Sequence, residues 1–279
     1  MSNRKKLNVI ILGSTGAIGI KLAKKFYQDG ENIFLFYRNK KKGKILKKIF
    51  KKKTNQKISF ETINIENKKS FKNKILRNKE IFKSCDILIN TIGELGEIKN
   101  FFNLNIKKFY RTFNINFFSY VHFFKFLYPL IKKKKDLLII LFSGGGTTSL
   151  RENFSSYSLS KIVLAKFTEI LAKEFINKNI RINSIAPGII NSKMNQKILK
   201  AKKNIVSKKE ILKLNKFLKI SEKTIDKVYL LIKFLNSRKG KKISGKMISS
   251  MWDKPTHWST KKINKIISND YLTLRRKEL

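Results

Sequence analysis

Leu7-Asn8-Val9-Ile10-Ile11-Leu12-Gly13-Ser14-Thr15-Gly16-Ala17-Ile18-Gly19 is the stretch that decides the fold. An apolar run this short, closed abruptly by glycine, reads as a buried strand. Residues 20–27 follow with a helical pattern. Strand, glycine turn and helix in that order aim backbone N–H groups at an anion beside the helix N-terminus, and the glycines let a phosphate approach. Alone, Gly-x-x-Gly-x-x-Gly also fits a plain tight turn. The strand before it and the helix after it favour the phosphate reading.

The alternation continues outward from this unit. The stretches at 32–37, 57–65, 86–90, 137–142 and 180–186 read as further strands, that at 137–142 as an apolar, buried one. Residues 105–133 and 155–177 read as helices, the first with a bend expected near Pro129, and 39–53 as the solvated face of another. Strands and helices in alternation imply an α/β fold, a doubly wound parallel sheet of Rossmann-like type. Of 13 glycines, nine (13, 16, 19, 93, 96, 144, 145, 146 and 188) fall at or just past strand ends. That is the edge at which such sheets bind ligands.

Two features speak to chemistry. The second strand ends at Arg38, where an acid would bind the ribose 2′-OH of NAD and a base accommodates the 2′-phosphate of NADP. NADP(H) is therefore expected over NAD(H), against the plainer reading of one more cation in a basic chain. Farther on, Ser143 closes the strand at 137–142, and Tyr157-Ser158-Leu159-Ser160-Lys161 begins the next helix. Tyr157 and Lys161, four apart, share a helical face. An ammonium beside a phenol favours the phenolate, so the tyrosine's pKa should fall and suit it to proton transfer at a carbonyl or hydroxyl oxygen. In a Lys-rich chain the pair alone equally describes an exposed helix; its company argues for function.

Composition bounds the rest. The chain has 279 residues, 64 Lys plus Arg against 18 Asp plus Glu, and a net charge of +46. Such charge suits a polyanion binder. The cations, however, are spread along the chain and are mostly Lys, and Lys, Asn, Ile and Phe are all abundant, so compositional drift is favoured and no specific nucleic acid is expected. Cys85 is the only cysteine, which fits a reducing compartment. The basic start at 1–6 precedes too short an apolar run for a signal peptide, and 113–131 is too often interrupted for a membrane span. A cytoplasmic location is expected. His122 and His257 are too isolated to suggest a metal site.

Taken in order, these motifs resemble the short-chain dehydrogenase/reductase family over residues 7–250. The resemblance rests on the loop from Gly13 to Gly19, Asn90 with Gly93, Asn116, Ser143, Tyr157 with Lys161, and Arg181-Ile182-Asn183-Ser184-Ile185-Ala186-Pro187-Gly188. It implies a single oxidoreductase domain over 1–279 with about seven strands, a core at 7–250, a substrate lid at 191–225 and an atypical tail at 251–279. It implies Tyr157 as general acid or base, Lys161 on the nicotinamide ribose and lowering the Tyr157 pKa, Ser143 on the substrate oxygen and Asn116 in a proton relay. Cofactor contacts would come from Gly13, Ser14, Thr15, Gly16, Ile18, Gly19, Arg38, Asn64, Asn90, Gly93, Tyr157, Lys161, Pro187, Gly188, Ile190 and Ser192. The substrate would be a small carbonyl or alcohol compound, and the helices at 105–133 and 155–177 would pair copies into a homodimer or homotetramer.

Departures keep alternatives in view. The glycine spacing resembles a longer, sugar-nucleotide-modifying branch of the family, which would hold NAD tightly. Ser143 lies fourteen residues before Tyr157 and is trailed by three glycines, so Thr147 or Thr148 could supply the hydroxyl. Met194, Ile198 and Phe217 either line an apolar pocket or form a core face. Trp252 and Trp258 either cover a neighbour or substrate mouth or pack in the core. Residues 243–248 resemble the family's last strand, and 277–279 do not complete a retention signal. Reduction of a 3-oxoacyl thioester and a non-enzymatic cofactor-sensing or polyanion-binding role are the other readings.

Overall fold

Runs of Val, Ile, Leu and Phe form seven strands among the residues described by the computed structural model, 5–51, 55–134, 136–201 and 205–276. They are β1 (Asn8–Leu12), β2 (Asn32–Tyr37), β3 (Ile58–Thr62), β4 (Ile87–Asn90), β5 (Leu137–Phe142), β6 (Ile180–Ala186) and β7 (Met247–Ser249). All pair in parallel, in the order β3-β2-β1-β4-β5-β6-β7. The order reverses beside β1, where Leu12 pairs with Phe36 on one side and Asn90 on the other. A crevice opens at such a switch point.

Helices cover both faces. They are α1 (Ala17–Gln28), α2 (Lys40–Ile49), α3 (Lys68–Arg77), α4 (Lys79–Ser84), α5 (Ile106–Phe113), α6 (Ser119–Ile131), α7 (Ser155–Glu174), α8 (Lys193–Leu199), α9 (Lys208–Leu218), α10 (Ser221–Leu235) and α11 (Thr260–Ser268). Successive strand residues point to opposite faces. Thus Val9, Ile11, Leu138 and Ile140 join one core with Phe26, Leu46, Ile232 and Ile263, while Ile10, Leu12, Leu137 and Ile139 join the other with Phe71, Phe123, Leu127 and Leu164. Burial on both faces explains why β5 reads as an unbroken apolar run and β1, β2 and β4 nearly so, whereas β3 and β6 carry polar residues.

Three local outcomes differ from the sequence reading. The third strand stops at Thr62, short of residue 65, with Tyr37 as its last partner. The last is displaced from 243–248 to Met247–Ser249. The helical stretch at 105–133 is irregular at Asn114–Phe118, a π turn, while Pro129 lies within α6 near its end. A π turn carries one extra residue, and such turns gather at functional sites.

The tail is built into the fold. Trp258 is buried with Ile263 and Ile266 of α11, edge-on to Phe234, and its indole N–H donates to Asp253 O at 2.7 Å. Trp252 is exposed and meets Phe217 edge-on. Met247 N donates to Leu272 O at 2.8 Å, and Leu274 N to Glu169 Oε1 at 2.8 Å, so the tail covers the outer edge of β7 and reaches α7. Residues 277–279, the incomplete retention signal, lie outside the described residues. Among the described residues no helix is long and apolar enough to cross a membrane.

Candidate active site

The crevice at the C-terminal edge of the sheet has a volume of about 1240 Å³. At its floor, Gly13 has a φ of +81°, and its N–H and that of Ser14 both donate to Phe36 O, at 2.9 and 3.0 Å. A Cβ on Gly19 would lie 2.5 Å from Gly13 O, so only glycine lets α1 start this close to the turn. Gly16 caps α1 with no side-chain hydrogen bond. The first N–H groups of α1 therefore keep no side-chain acceptor, and an anion is stabilised beside them. Gly13, Thr15 and Gly16 line the crevice; Ser14 is buried, with its hydroxyl donating to Phe36 O at 3.1 Å. Ile18 packs against the core beneath. The residues present fit the diphosphate of a dinucleotide.

Four elements bring the proton-transfer candidates together. Asn116 comes from the π turn: its side-chain N–H groups donate to Glu94 O at 2.9 Å and Ser160 Oγ at 3.0 Å, and its Oδ1 accepts from Glu94 N at 2.8 Å. Gly93 lies where an added Cβ would be 3.3 Å from Asn116 Oδ1 and 3.4 Å from Lys161 Nζ. Lys161 is buried on α7 and donates to Phe142 O, the last carbonyl of β5, at 2.9 Å. Tyr157, one turn earlier, packs its hydroxyl onto Gly144: a Cβ there would lie 2.3 Å from Tyr157 Oη. Ser143, just before that glycine, is buried and its Oγ has no hydrogen-bond partner. A buried hydroxyl without a partner is costly unless a ligand takes it. Thr147 instead closes its own turn, donating to Gly144 O at 2.7 Å, and Thr148 is exposed. Of the three hydroxyls, Ser143 is the one left free at this place.

The electrostatics correct one expectation. The Tyr157 phenol's pKa is raised, not lowered: burial is the largest cause and Arg151 only partly offsets it. Lys161 does not reverse this. Its ammonium is 5.9 Å from the tyrosine ring centroid, and burial pulls its own pKa down to about 8. A third apolar cluster, Leu95, Phe154, Ile198, Val206 and Leu214, packs against the partly buried Tyr157 and Met194. Met194 and Ile198 thus pack in the cluster that meets Tyr157, whereas Phe217 faces Trp252. Residues 197, 205 and 210 of this region are held by Arg151 to Glu210, by Asn153 Nδ2 donating to Ile205 O at 2.8 Å, and by Lys197 Nζ donating to Gly96 O at 2.6 Å. Residues 202–204 of the expected lid lie outside the described residues.

The remaining candidates divide. Arg38 lines the crevice, and its guanidinium pairs with Glu66. Asn90 is buried and its Oδ1 accepts from Ile92 N at 3.1 Å. Gly188 has a φ of +79°, and Pro187 O accepts from Ser250 Oγ at 3.1 Å. Ile190 is buried, and Ser192 caps α8, accepting from Asn195 N at 3.3 Å. Asn64 is exposed and turns to Glu66 N at 3.1 Å; its neighbours Ile63 and Ile65 line the crevice instead. Sequence reasoning missed Lys42 and Arg111, which line the crevice, and Arg151 beside Tyr157. For Arg151 a signal existed: an arginine among Gly, Ser and Thr in a chain whose cations are mostly lysine.

A family model described as short chain dehydrogenase matches residues 7–203. The chain is 27% identical over 186 residues to the diacetyl reductase, (S)-acetoin forming, of Staphylococcus epidermidis, covering 66% of this chain and 72% of that protein. It is 25% identical over 183 residues to YhxC, an uncharacterized oxidoreductase of Bacillus subtilis, and the match takes in 63% of that protein, less than two thirds of its length. Among solved structures, NAD+-bound xylitol dehydrogenase superposes with a TM-score of 0.74 at 17% identity, over 88% of this chain and 98% of that one. A tyrosine-to-phenylalanine variant of ElxO with NADPH bound gives 0.72 at 22%, over 88% and 97%. At these identities the structural likeness carries the fold.

Proposed function

The chain belongs to the short-chain dehydrogenase family, and on that premise we propose that it is an NAD(P)-dependent oxidoreductase interconverting a small carbonyl compound and its secondary alcohol. The observation that carries this is the gathering of a buried Ser143 hydroxyl without a hydrogen-bond partner, the Tyr157 phenol on Gly144, and a buried Lys161 beside Gly93, a residue that lines the crevice. A nicotinamide dinucleotide, when bound, supplies or accepts the hydride.

The chain's own residues do the rest. Ser143 and Tyr157 donate hydrogen bonds to the substrate oxygen, stabilising the negative charge that develops there. Tyr157 gives that oxygen its proton in reduction and takes it back in oxidation. Its raised pKa keeps the phenol protonated, as an acid must be before it donates. Lys161, with a pKa of about 8, stands close enough to neutrality to exchange a proton. Asn116 fixes the loop at Glu94 and with it the wall beside Gly93. The apolar lid cluster excludes water. Arg38 and Lys42 support NADP(H) over NAD(H), and the α1 N-terminus with Gly13, Thr15 and Gly16 supports the diphosphate. Exposed Tyr110, Phe118, Leu159 and Ile170 on the α5–α7 surface support pairing of two copies.

The test is Tyr157→Phe, with diacetyl, the substrate named for the matched Staphylococcus reductase, among the first carbonyl compounds tried. Turnover should be abolished while nucleotide binding persists. Unchanged turnover would remove Tyr157 from the proton path and the proposal with it.

A further inference from the structure

The part of the crevice lined by Arg38 and Arg111 holds an internal anion, Glu66. Both arginines are paired to this one carboxylate: Arg38 to Glu66 Oε2, and Arg111 Nε to Glu66 Oε1 at 3.2 Å. Arg111 continues to Glu94 at 2.6 Å, so the charges alternate from Arg38 to the loop that Asn116 holds. Glu66 is itself held from behind, its N–H donating to Asn64 Oδ1 at 3.1 Å. In a chain with 64 basic and 18 acidic residues, a carboxylate bridging two cleft arginines runs against the composition.

We infer that Glu66 weakens the discrimination of NADPH from NADH by pairing with Arg38 and Arg111, the arginines a 2′-phosphate would meet at this end of the crevice. The inference rests on the reading that this crevice binds a nicotinamide dinucleotide. A 2′-phosphate meets Glu66 as a competitor for Arg38, and any guanidinium it shares brings two anions together, which costs binding. A 2′-hydroxyl carries no charge and suffers neither effect; a carboxylate can even accept its proton. Arg38 and Arg111 are 59% and 48% exposed, so each pair is weak and opens readily to a ligand. Lys42, four residues from Arg38, also lines the crevice and has no ion-pair partner among the described residues, so a phosphate there keeps an uncontested cation. Glu66 therefore narrows a preference for NADPH that Arg38 and Lys42 create.

The experiment is fluorescence titration of NADPH and of NADH against wild type, Glu66→Gln, Glu66→Ala, and each in an Arg38→Ala background. Removing the carboxylate should tighten NADPH by roughly threefold to fivefold, the worth of an exposed ion pair. NADH should stay unchanged within about twofold, and the gain should shrink without Arg38. An NADPH-to-NADH affinity ratio that stays the same or falls in both Glu66 variants overturns the inference. A wild type that binds neither nucleotide overturns the dinucleotide reading itself, and this inference falls with it.

Discussion

Gly144→Ala tests the placement of the Tyr157 hydroxyl with a single methyl group. Gly144 does not lie in the left-handed region, so alanine meets no backbone penalty there. The obstacle is the phenol: the new Cβ would be 2.3 Å from Tyr157 Oη, 3.1 Å from Cζ and 3.3 Å from Cε1, where ordinary contact begins at 3.4 Å. The hydroxyl must therefore retreat by about 1 Å, and a misplacement of that size costs on the order of a hundredfold in turnover. Overpacking of this kind costs about 1–3 kcal/mol, a fall of several degrees in melting temperature for a chain of this size. Nucleotide affinity should hold, because the glycine turn and Arg38 are elsewhere in the crevice. In a Tyr157→Phe background the clashing oxygen is gone, and the same substitution should cost less stability than in wild type. The assays are carbonyl-dependent NAD(P)H oxidation, nucleotide titration and thermal melting on the four proteins. Wild-type turnover in Gly144→Ala, or equal stability losses in both backgrounds, would refute the reasoning.

Other perturbations follow from burial. Folded Lys161 loses its proton near pH 8, while an unfolded lysine holds it to about 10.4. Between those values the unfolded chain binds more protons, so stability contributed by Lys161 is lost as pH falls toward 8 and gained as pH rises toward the unfolded value. Compared with Lys161→Met, wild type should gain on the order of 3 kcal/mol across that window in denaturant titrations; parallel pH profiles would contradict this. The two tryptophans should part company. Trp258→Ala, at a site 3% exposed, should cost about 3–5 kcal/mol, and Trp252→Ala, 69% exposed, within about 0.5 kcal/mol. Equal losses by thermal melting would mean that the tail is not packed as described.

The sheet was legible because a parallel strand buried on both faces reads as an apolar run, as β5 does without interruption and β1 and β2 do after a leading asparagine; β6, which carries Arg181, Asn183 and Ser184, was legible through the motif that ends at Gly188. The glycine turn was legible because Gly13 and Gly19 occupy positions no side chain tolerates. Asn116 was named, but its means of placement was not, since its side chain is held by the backbone of Glu94, 22 residues away. The sign of the Tyr157 shift was unreadable for a similar reason. An i, i+4 spacing shows that two side chains share a face, not that Leu95, Ile198, Val206 and Leu214 pack against one of them. The Glu66 bridge likewise joins residues from separate crossovers, and no local pattern announces it.

The most direct measurement is a titration of the purified chain with NADPH and NADH, at near-physiological salt and again at high salt. The account predicts that both bind, NADPH more tightly, and that binding largely survives salt that screens the diffuse attraction of a +46 chain for any anion. It further predicts that Arg38→Ala weakens NADPH more than NADH. Binding of neither nucleotide, or binding that vanishes with salt alike for both, would leave Gly13 to Gly19 as a turn and contradict the oxidoreductase reading.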